Sequence, residues 1–182
     1  MLQGPAPKKI SVPRRRGEAP LVLRRFTLDD LERFVMMLTD ERVTDQLSFP
    51  KELKTAGGAE ALLRATIAAY ESDEPMVAFA IASPDGFLRG MCGVSTFAPG
   101  VVEIFYAVAV PEWRRRIGSR AAKALVRALR RRSDVEELVG FVLPDNQASR
   151  RILEGLGFED RGLVERQGFA EPVHDYRLDL GG

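Results

Sequence analysis

The chain of 182 residues contains one cysteine, one histidine and one tryptophan. A lone cysteine cannot form an internal disulfide, and a lone histidine leaves no His/Cys constellation of the kind that holds zinc. Long apolar runs are also missing. The longest, around Val77 to Ala82 and Ala107 to Val110, fall far short of the roughly 20 residues that cross a bilayer. The first residues lack the apolar core of a signal peptide. We therefore expect no metal, no membrane association and a cytoplasmic location. The apolar and charged fractions are those of a globular protein, and the length suits one domain with a sizeable core.

Acid is missing from one region in particular. Between Trp113 and Ser133 there are nine Lys or Arg residues and no Asp or Glu, although the net charge of the whole chain is only +1. The run opens with Arg114-Arg115-Arg116-Ile117-Gly118-Ser119-Arg120, directly after the apolar Val108-Ala109-Val110-Pro111. Positive side chains at a helix start oppose the macrodipole, so this arrangement makes physical sense mainly where an anion binds. A second surplus lies at the N-terminus. Residues 1–19 hold Lys8, Lys9, Arg14, Arg15 and Arg16 against Glu18. Prolines 5, 7, 13 and 20 break any helix or central strand there. Residues 1–19 thus read as a flexible basic arm and residues 20–182 as one domain.

Periodicity orders the rest. Leu21 to Phe26 is strand-like. Thr27 then caps a helix whose first turn holds Asp29 and Asp30 and whose buried face is Leu31, Phe34 and Leu38. A second helix is expected from about Ala59 to Glu71, after a break at Gly57-Gly58. Met76 to Ser83, Phe87 to Phe97 and Val101 to Val110 read as an antiparallel meander, joined by Pro84-Asp85-Gly86 and Pro99-Gly100. The basic helix spans Ile117 to Arg132, with Ile117, Ala121, Ala124, Leu125, Ala128 and Leu129 inward and Arg120, Lys123 and Arg127 toward solvent. A strand over Val135 to Leu143, a helix over Gln147 to Leu156 and strands near Phe158 to Glu165 and Pro172 to Leu180 complete an α+β arrangement with a parallel crossover. Cys92 reads as a packed thiol in a strand. His174 reads as a strand residue whose flanking Glu171 and Asp175 would favour its charged form.

Two segments resemble the signatures of the GNAT N-acetyltransferases. Val108 to Ala122 is similar to the acetyl-coenzyme-A signature, and Asn146-Gln-Ala-Ser-Arg-Arg-Ile-Leu-Glu-Gly-Leu-Gly-Phe158 to the second, N-x-x-S/A ending in L-G-F. Leu21 to Leu31, followed by Asp40, Val43 and Phe49-Pro50, resembles the RimJ/RimL branch. The resemblance implies a mixed, largely antiparallel sheet of six to seven strands with flanking helices. It also implies a parallel, splayed strand pair at the coenzyme site. Acetyl-CoA would be the acyl donor, with backbone groups of Val108 and Val110 on the pantetheine arm. The loop of Arg115, Arg116, Ile117, Gly118, Ser119 and Arg120 would hold the pyrophosphate. The family turn is Q/R-x-x-G-x-G/A; anchored on Ile117-Gly118-Ser119, either Arg116 stands at the earlier glycine or the loop is one residue shorter, whereas with Arg115 as the first position Gly118 fills the first glycine site and Arg120 occupies the last.

Asn146 can cap the following helix, and by resemblance it would also bond the coenzyme arm. Ser149 would lie near the thioester sulfur as a candidate acid, because the family's tyrosine four residues further on is Leu153 here. Glu103 is an acid in an apolar strand, so it suits either general-base work or an exposed pairing with a cross-strand arginine. It matches the acid of E-I-G-Y in RimL-like relatives, with Phe105 in place of the glycine. Acceptor contacts are expected between Asp40 and Gly58, around Leu47, Phe49 and Pro50.

The function so implied is acetyl transfer from acetyl-CoA to a primary amine, either a protein N-terminus or a small molecule, with a homodimer compatible. The competing reading is a catalytically weakened acyl-CoA-binding or regulatory module. Nucleic-acid binding by the basic helix is disfavoured, because no aromatic residues interleave with its charges.

Overall fold

Val-Ala-Phe-Ala-Ile-Ala forms strand β3 (Val77–Ala82), and every residue of it is buried. A strand buried along its whole length must lie inside a sheet that is covered on both faces. The computed structural model describes residues 7–14, 16–47, 50–72 and 77–181, and in it that sheet has eight strands. β3 pairs antiparallel with β2 (Val22–Arg24) on one side and with β4 (Leu88–Ala98) on the other. β4 pairs antiparallel with β5 (Val101–Val108). The two expected turns close this meander, with Gly86 and Gly100 at φ of 93° and 74°, values that suit glycine.

Helices cover the two faces. Phe34, Met37 and Leu38 of α1 (Leu31–Leu38) and Leu63 of α3 (Ala56–Ala69) pack with Ala78 and Ala80 on one side. On the other side, Ile117, Ala121, Leu125 and Leu129 of α4 (Ile117–Leu129) pack with Phe79, Ile104 and Leu138. A short α2 (Glu41–Thr44), capped by the Asp40 side chain, lies between α1 and α3 in the chain. After α4 the chain forms β6 (Glu137–Val142), α5 (Gln147–Gly155), β7 (Glu159–Val164) and β8 (Val173–Asp179). β6 lies parallel to β5 and antiparallel to β8, and β7 pairs with the far side of β8. The fold is the expected α+β class with a parallel pair inside a mostly antiparallel sheet. Among the described residues, no helix is long and apolar enough to cross a membrane, and no cluster of metal-binding side chains occurs.

Four local expectations need correction. Within the segment read as a mobile arm, β1 (Lys9–Ser11) pairs antiparallel with β2 as an edge strand, and Val12 is buried. Pro7 and Pro13 flank this strand, and an edge strand tolerates proline at its ends. The sheet therefore gains a strand beyond the six or seven expected. Gly57 and Gly58 are not a break but the first turn of α3. Thr55 caps that turn by accepting the Gly58 N–H at 3.1 Å, and a Cβ on Gly58 would come within 1.8 Å of the Glu52 carbonyl oxygen.

The third correction concerns Arg120, which is 9% exposed and does not face solvent. Its Nη1 donates to the Ala19 carbonyl at 2.8 Å, and its Nε stands 3.3 Å from Glu18 Oε2, so α4 is tied to the segment before β2. Lys123 and Arg127 do face solvent. The fourth is His174, which meets neither neighbour in sequence. Its Nδ1 lies 2.8 Å from Asp160 across the β7–β8 pair.

The burial of Arg120 predicts a contrast measurable by thermal or denaturant unfolding. Arg120→Ala leaves Glu18 and the Ala19 carbonyl without this partner and is expected to cost roughly 2 kcal/mol. Lys123→Ala, on the exposed side of the same helix, is expected to change stability by less than about 0.5 kcal/mol.

Candidate active site

Pairing between β5 and β6 runs only from Val101↔Glu137 to Glu103↔Val139, after which the two strands diverge. The Ala109 N–H donates to the Arg89 carbonyl at 2.9 Å. In an antiparallel ladder this directs the odd-numbered backbone groups of β5 to β4 and turns those of Ile104, Tyr106 and Val108 toward the opening. A cavity of about 310 Å³ lies there, and its walls include Glu103, Tyr106, Phe141, Asn146, Ser149 and Arg166. Leu47 and Gln46 reach it from the segment after α2, while Phe49 lies outside the described residues.

One end of the opening is the basic loop. After β5 the chain makes a single 3-10 turn over Val110–Glu112 and then enters α4 at Ile117. Arg114 and Arg116 have φ of 62° and 59°, and they are the only non-glycine residues at positive φ among the described residues. Arg116 caps α4 in the left-handed conformation. Arg116 thus has the backbone conformation that a glycine at its position would adopt. The loop thus keeps a glycine-type backbone while carrying arginine, at a cost of about 1–2 kcal/mol per residue. The first helical bond runs from the Arg120 N–H to the Arg116 carbonyl at 3.1 Å. The N–H groups of Ile117, Gly118 and Ser119 precede it and lack intrahelical partners, which makes them the anion-binding end of the helix. Arg120 was expected to contribute here, but its N–H is spent inside the helix and its side chain on Ala19 and Glu18.

Four further contacts fix this loop. Glu112, the acid just before the basic run, is buried and takes Arg89 Nη1 at 2.6 Å and Arg115 Nη1 at 3.3 Å. It anchors the loop to β4. The Trp113 indole N–H donates to the Val108 carbonyl at 2.7 Å, on the edge of β5 that faces the opening. The Val110 carbonyl accepts the Trp113 N–H at 3.1 Å within the 3-10 turn.

At the other end, Asn146 caps α5 by accepting the Ser149 N–H at 3.0 Å. Its Oδ1 is thereby used, and its amide nitrogen is the group left to meet a ligand. The Tyr106 hydroxyl donates to the Ser149 carbonyl at 3.3 Å, and burial pushes the Tyr106 pKa up to about 12. A phenol therefore stands beside Ser149 although Leu153, at the family's tyrosine position, is buried and apolar. The sequence reading missed Tyr106 because it arrives from a different strand.

Glu103 lies on the same strand with its side chain half-buried. Burial pushes its pKa up and the Arg166 guanidinium pulls it down, with burial the larger effect. Arg166 Nη2 donates to Glu103 Oε2. Arg166 comes from the β7–β8 connection rather than from a cross-strand neighbour, and its guanidinium lies 3.7 Å from the centre of the Phe141 ring. Phe105 is accommodated over Gly93, its partner in the register, where a Cβ would come 2.6 Å from the Phe105 ring. Neither Arg166 nor Glu112 carried a motif. Only their position next to a charge-sparse strand and a charge-dense loop marked them.

The left-handed cap gives a direct test by unfolding. Arg116→Gly is expected to be more stable than Arg116→Ala by about 1 kcal/mol, or about 2–4 °C in Tm. Equal stability would show that the loop does not hold this backbone conformation.

No curated protein is similar enough in sequence to match the chain. Solved structures do match in shape. A GNAT-family acetyltransferase from Bacillus anthracis superposes with a TM-score of 0.76 at 16% identity, covering 94% of this chain and 98% of its own. Mycobacterium smegmatis RimJ, in complex with CoA-disulfide, gives 0.71 at 18% identity over 88% of this chain and 82% of its own. RimL, a ribosomal alpha-N-protein acetyltransferase in complex with coenzyme A, gives 0.73 at 18% identity over 93% and 97%. The family model for the acetyltransferase (GNAT) domain matches residues 20–159. The match takes in β2 through the start of β7, including the basic loop and the diverging strands, and the chain belongs to the GNAT acetyltransferase family.

Proposed function

We propose that this chain transfers the acetyl group of acetyl-CoA to a primary amine by direct attack of the amine on the thioester. The observation that carries this is the opening between β5 and β6, which has an anion-binding helix start at one end and Glu103, Tyr106 and Ser149 at the other. Acetyl-CoA has matching chemistry along its length, with a pyrophosphate, an amide-bearing arm and a terminal thioester. Structural relatives named above were solved with coenzyme A or its disulfide. The Ile117, Gly118 and Ser119 N–H groups suit the pyrophosphate. The inward-facing groups of Val108 suit the arm amides, with the Trp113 indole exchanged for the ligand.

The reaction needs a neutral amine, a sink for its proton and a donor for the departing thiolate. Nitrogen attacks the carbonyl carbon, the C–S bond breaks, the amine proton leaves nitrogen and a proton reaches sulfur. Glu103 is the acceptor for the first proton, directly or through water. Its raised pKa makes it a stronger base than an ordinary carboxylate, and the Arg166 guanidinium supports its charged form. Tyr106 stays protonated at neutral pH and can turn its hydroxyl from the Ser149 carbonyl to hydrogen-bond the departing thiolate, while solvent supplies the proton that sulfur finally takes. Ser149, which shares the cavity wall, positions the thioester end.

Two measurements test this. Saturating acetyl-CoA is expected to raise Tm, by about 2.7 kcal/mol of stabilisation at 100 times Kd. Ser119→Glu puts a carboxylate where the macrodipole welcomes it, so the fold is kept, but it repels a pyrophosphate and should remove the ligand-induced shift. In a thiol-release assay, Glu103→Gln is expected to lower kcat/KM by about 10²-fold and to abolish the acidic limb of its pH profile. In the unmodified protein that limb lies at higher pH than an ordinary glutamate would give, because the raised pKa protonates Glu103 sooner as pH drops. Tyr106→Phe should lower kcat with little change in KM.

A further inference from the structure

Resting on that reading, the structure also bears on which amine is accepted. Among the described residues that line the cavity, the only formally charged side chains are Glu103 and Arg166, and they are paired with each other. Their side chains are 22% and 26% exposed, so neither is freely solvated. Arg166 is held against Phe141 at 3.7 Å, with Phe97 at 5.4 Å on another side, which fixes the guanidinium at the cavity wall. The other walls include the apolar Leu47, Phe105, Phe141 and Phe169, together with the uncharged polar Gln46 and Ser95, the latter opposite Glu103 in the register.

An acceptor amine must come to Glu103, and in doing so it meets Arg166. A simple alkylamine that takes the carboxylate leaves the guanidinium facing aromatic rings with no counter-ion, and loss of one partner from a sheltered charge pair is costly. A polyamine adds repulsion from Arg166 to that loss. A molecule with an ammonium and a carboxylate a few bonds apart can enter the pair from within. Its ammonium then meets Glu103 and its carboxylate meets the planar fork of Arg166, a geometry that arginine binds in two-pronged fashion. One internal ion pair is replaced by two intermolecular ones, and no charge is stranded.

We infer that the acceptor is a free α-amino acid with an apolar side chain, its carboxylate bound by Arg166 and its amine delivered to Glu103. The cavity of about 310 Å³ is of a size for such a molecule beside the thioester end of the donor. The apolar walls receive the side chain. The product is the N-acetylated amino acid. Nitrogen gains the acetyl carbon, sulfur gains a proton, and the carboxylate on Arg166 takes no part in bond changes. Arg166 is thus a specificity determinant rather than an acid or base.

Thiol release from acetyl-CoA should be followed with L-leucine, L-leucinamide, isoamylamine and a leucine-initiated peptide. L-leucine is expected to exceed isoamylamine and L-leucinamide in kcat/KM by on the order of 10- to 100-fold, the range that charge-assisted hydrogen bonds supply. Arg166→Gln should collapse that ratio toward 1, and Arg166→Lys should restore part of it. Equal rates for L-leucine and isoamylamine in the unmodified protein would overturn the inference whatever the variants do, and so would acetylation of the peptide but not of free L-leucine. If acetyl-CoA binds yet no amine is turned over, melting with coenzyme A and L-leucine decides the matter. An added shift that Arg166→Gln removes supports the site, and no added shift overturns it. Failure of the proposed acetyl transfer looks different, because acetyl-CoA then neither raises Tm nor releases thiol with any amine.

Discussion

The divergence of β5 and β6 after three paired residues is the constraint on which the site depends. A central sheet normally satisfies every strand edge, and here two neighbouring strands in its middle leave backbone groups facing one another across a gap. The packing on either side keeps that gap open. Ile117, Ala121 and Leu125 hold α4 against Ile104 and Leu138, while Leu153 of α5 fits against Gly140 of β6, where a Cβ would approach it to 3.0 Å. Helices pinned on both strands prevent the sheet from closing, so the two free edges remain available for a ligand of extended shape.

The two ends of this gap handle charge in opposite ways. At the loop end positive charge is concentrated: backbone N–H groups of the first turn and exposed arginines share one corner, and Glu112 neutralises part of it while fastening the loop to β4. At the cavity end charge is balanced, one carboxylate against one guanidinium, within aromatic walls. The first arrangement attracts a polyanion over distance, and the second discriminates at contact. A donor and an acceptor with very different charges can therefore be handled by one continuous opening.

Much of this was legible in the sequence. The meander, the basic helix and the capped α5 follow from periodicity, turn residues and the N-terminal Asn146, all of which are local signals. What was hidden is non-local. The edge strand Lys9–Ser11 is too short to show a period, and it exists because β2 offers it a partner. Arg120 reads as one more exposed arginine until Glu18 and Ala19, about a hundred residues earlier, are brought beside it. Arg166 is 63 residues from Glu103, and Tyr106 reaches Ser149 across 43. No spacing rule connects such pairs. The left-handed Arg114 and Arg116 were hidden for another reason, since arginine gives no hint of the backbone conformation that glycine would have announced.

The Trp113 indole on the Val108 carbonyl has a consequence beyond the ligand site. An unpaired strand edge invites any extended chain to add to it, which is how many proteins aggregate. Trp113 keeps the last inward-facing carbonyl of β5 paired and sets a bulky ring, rather than a flat ribbon, beside it, features that oppose the addition of a strand there.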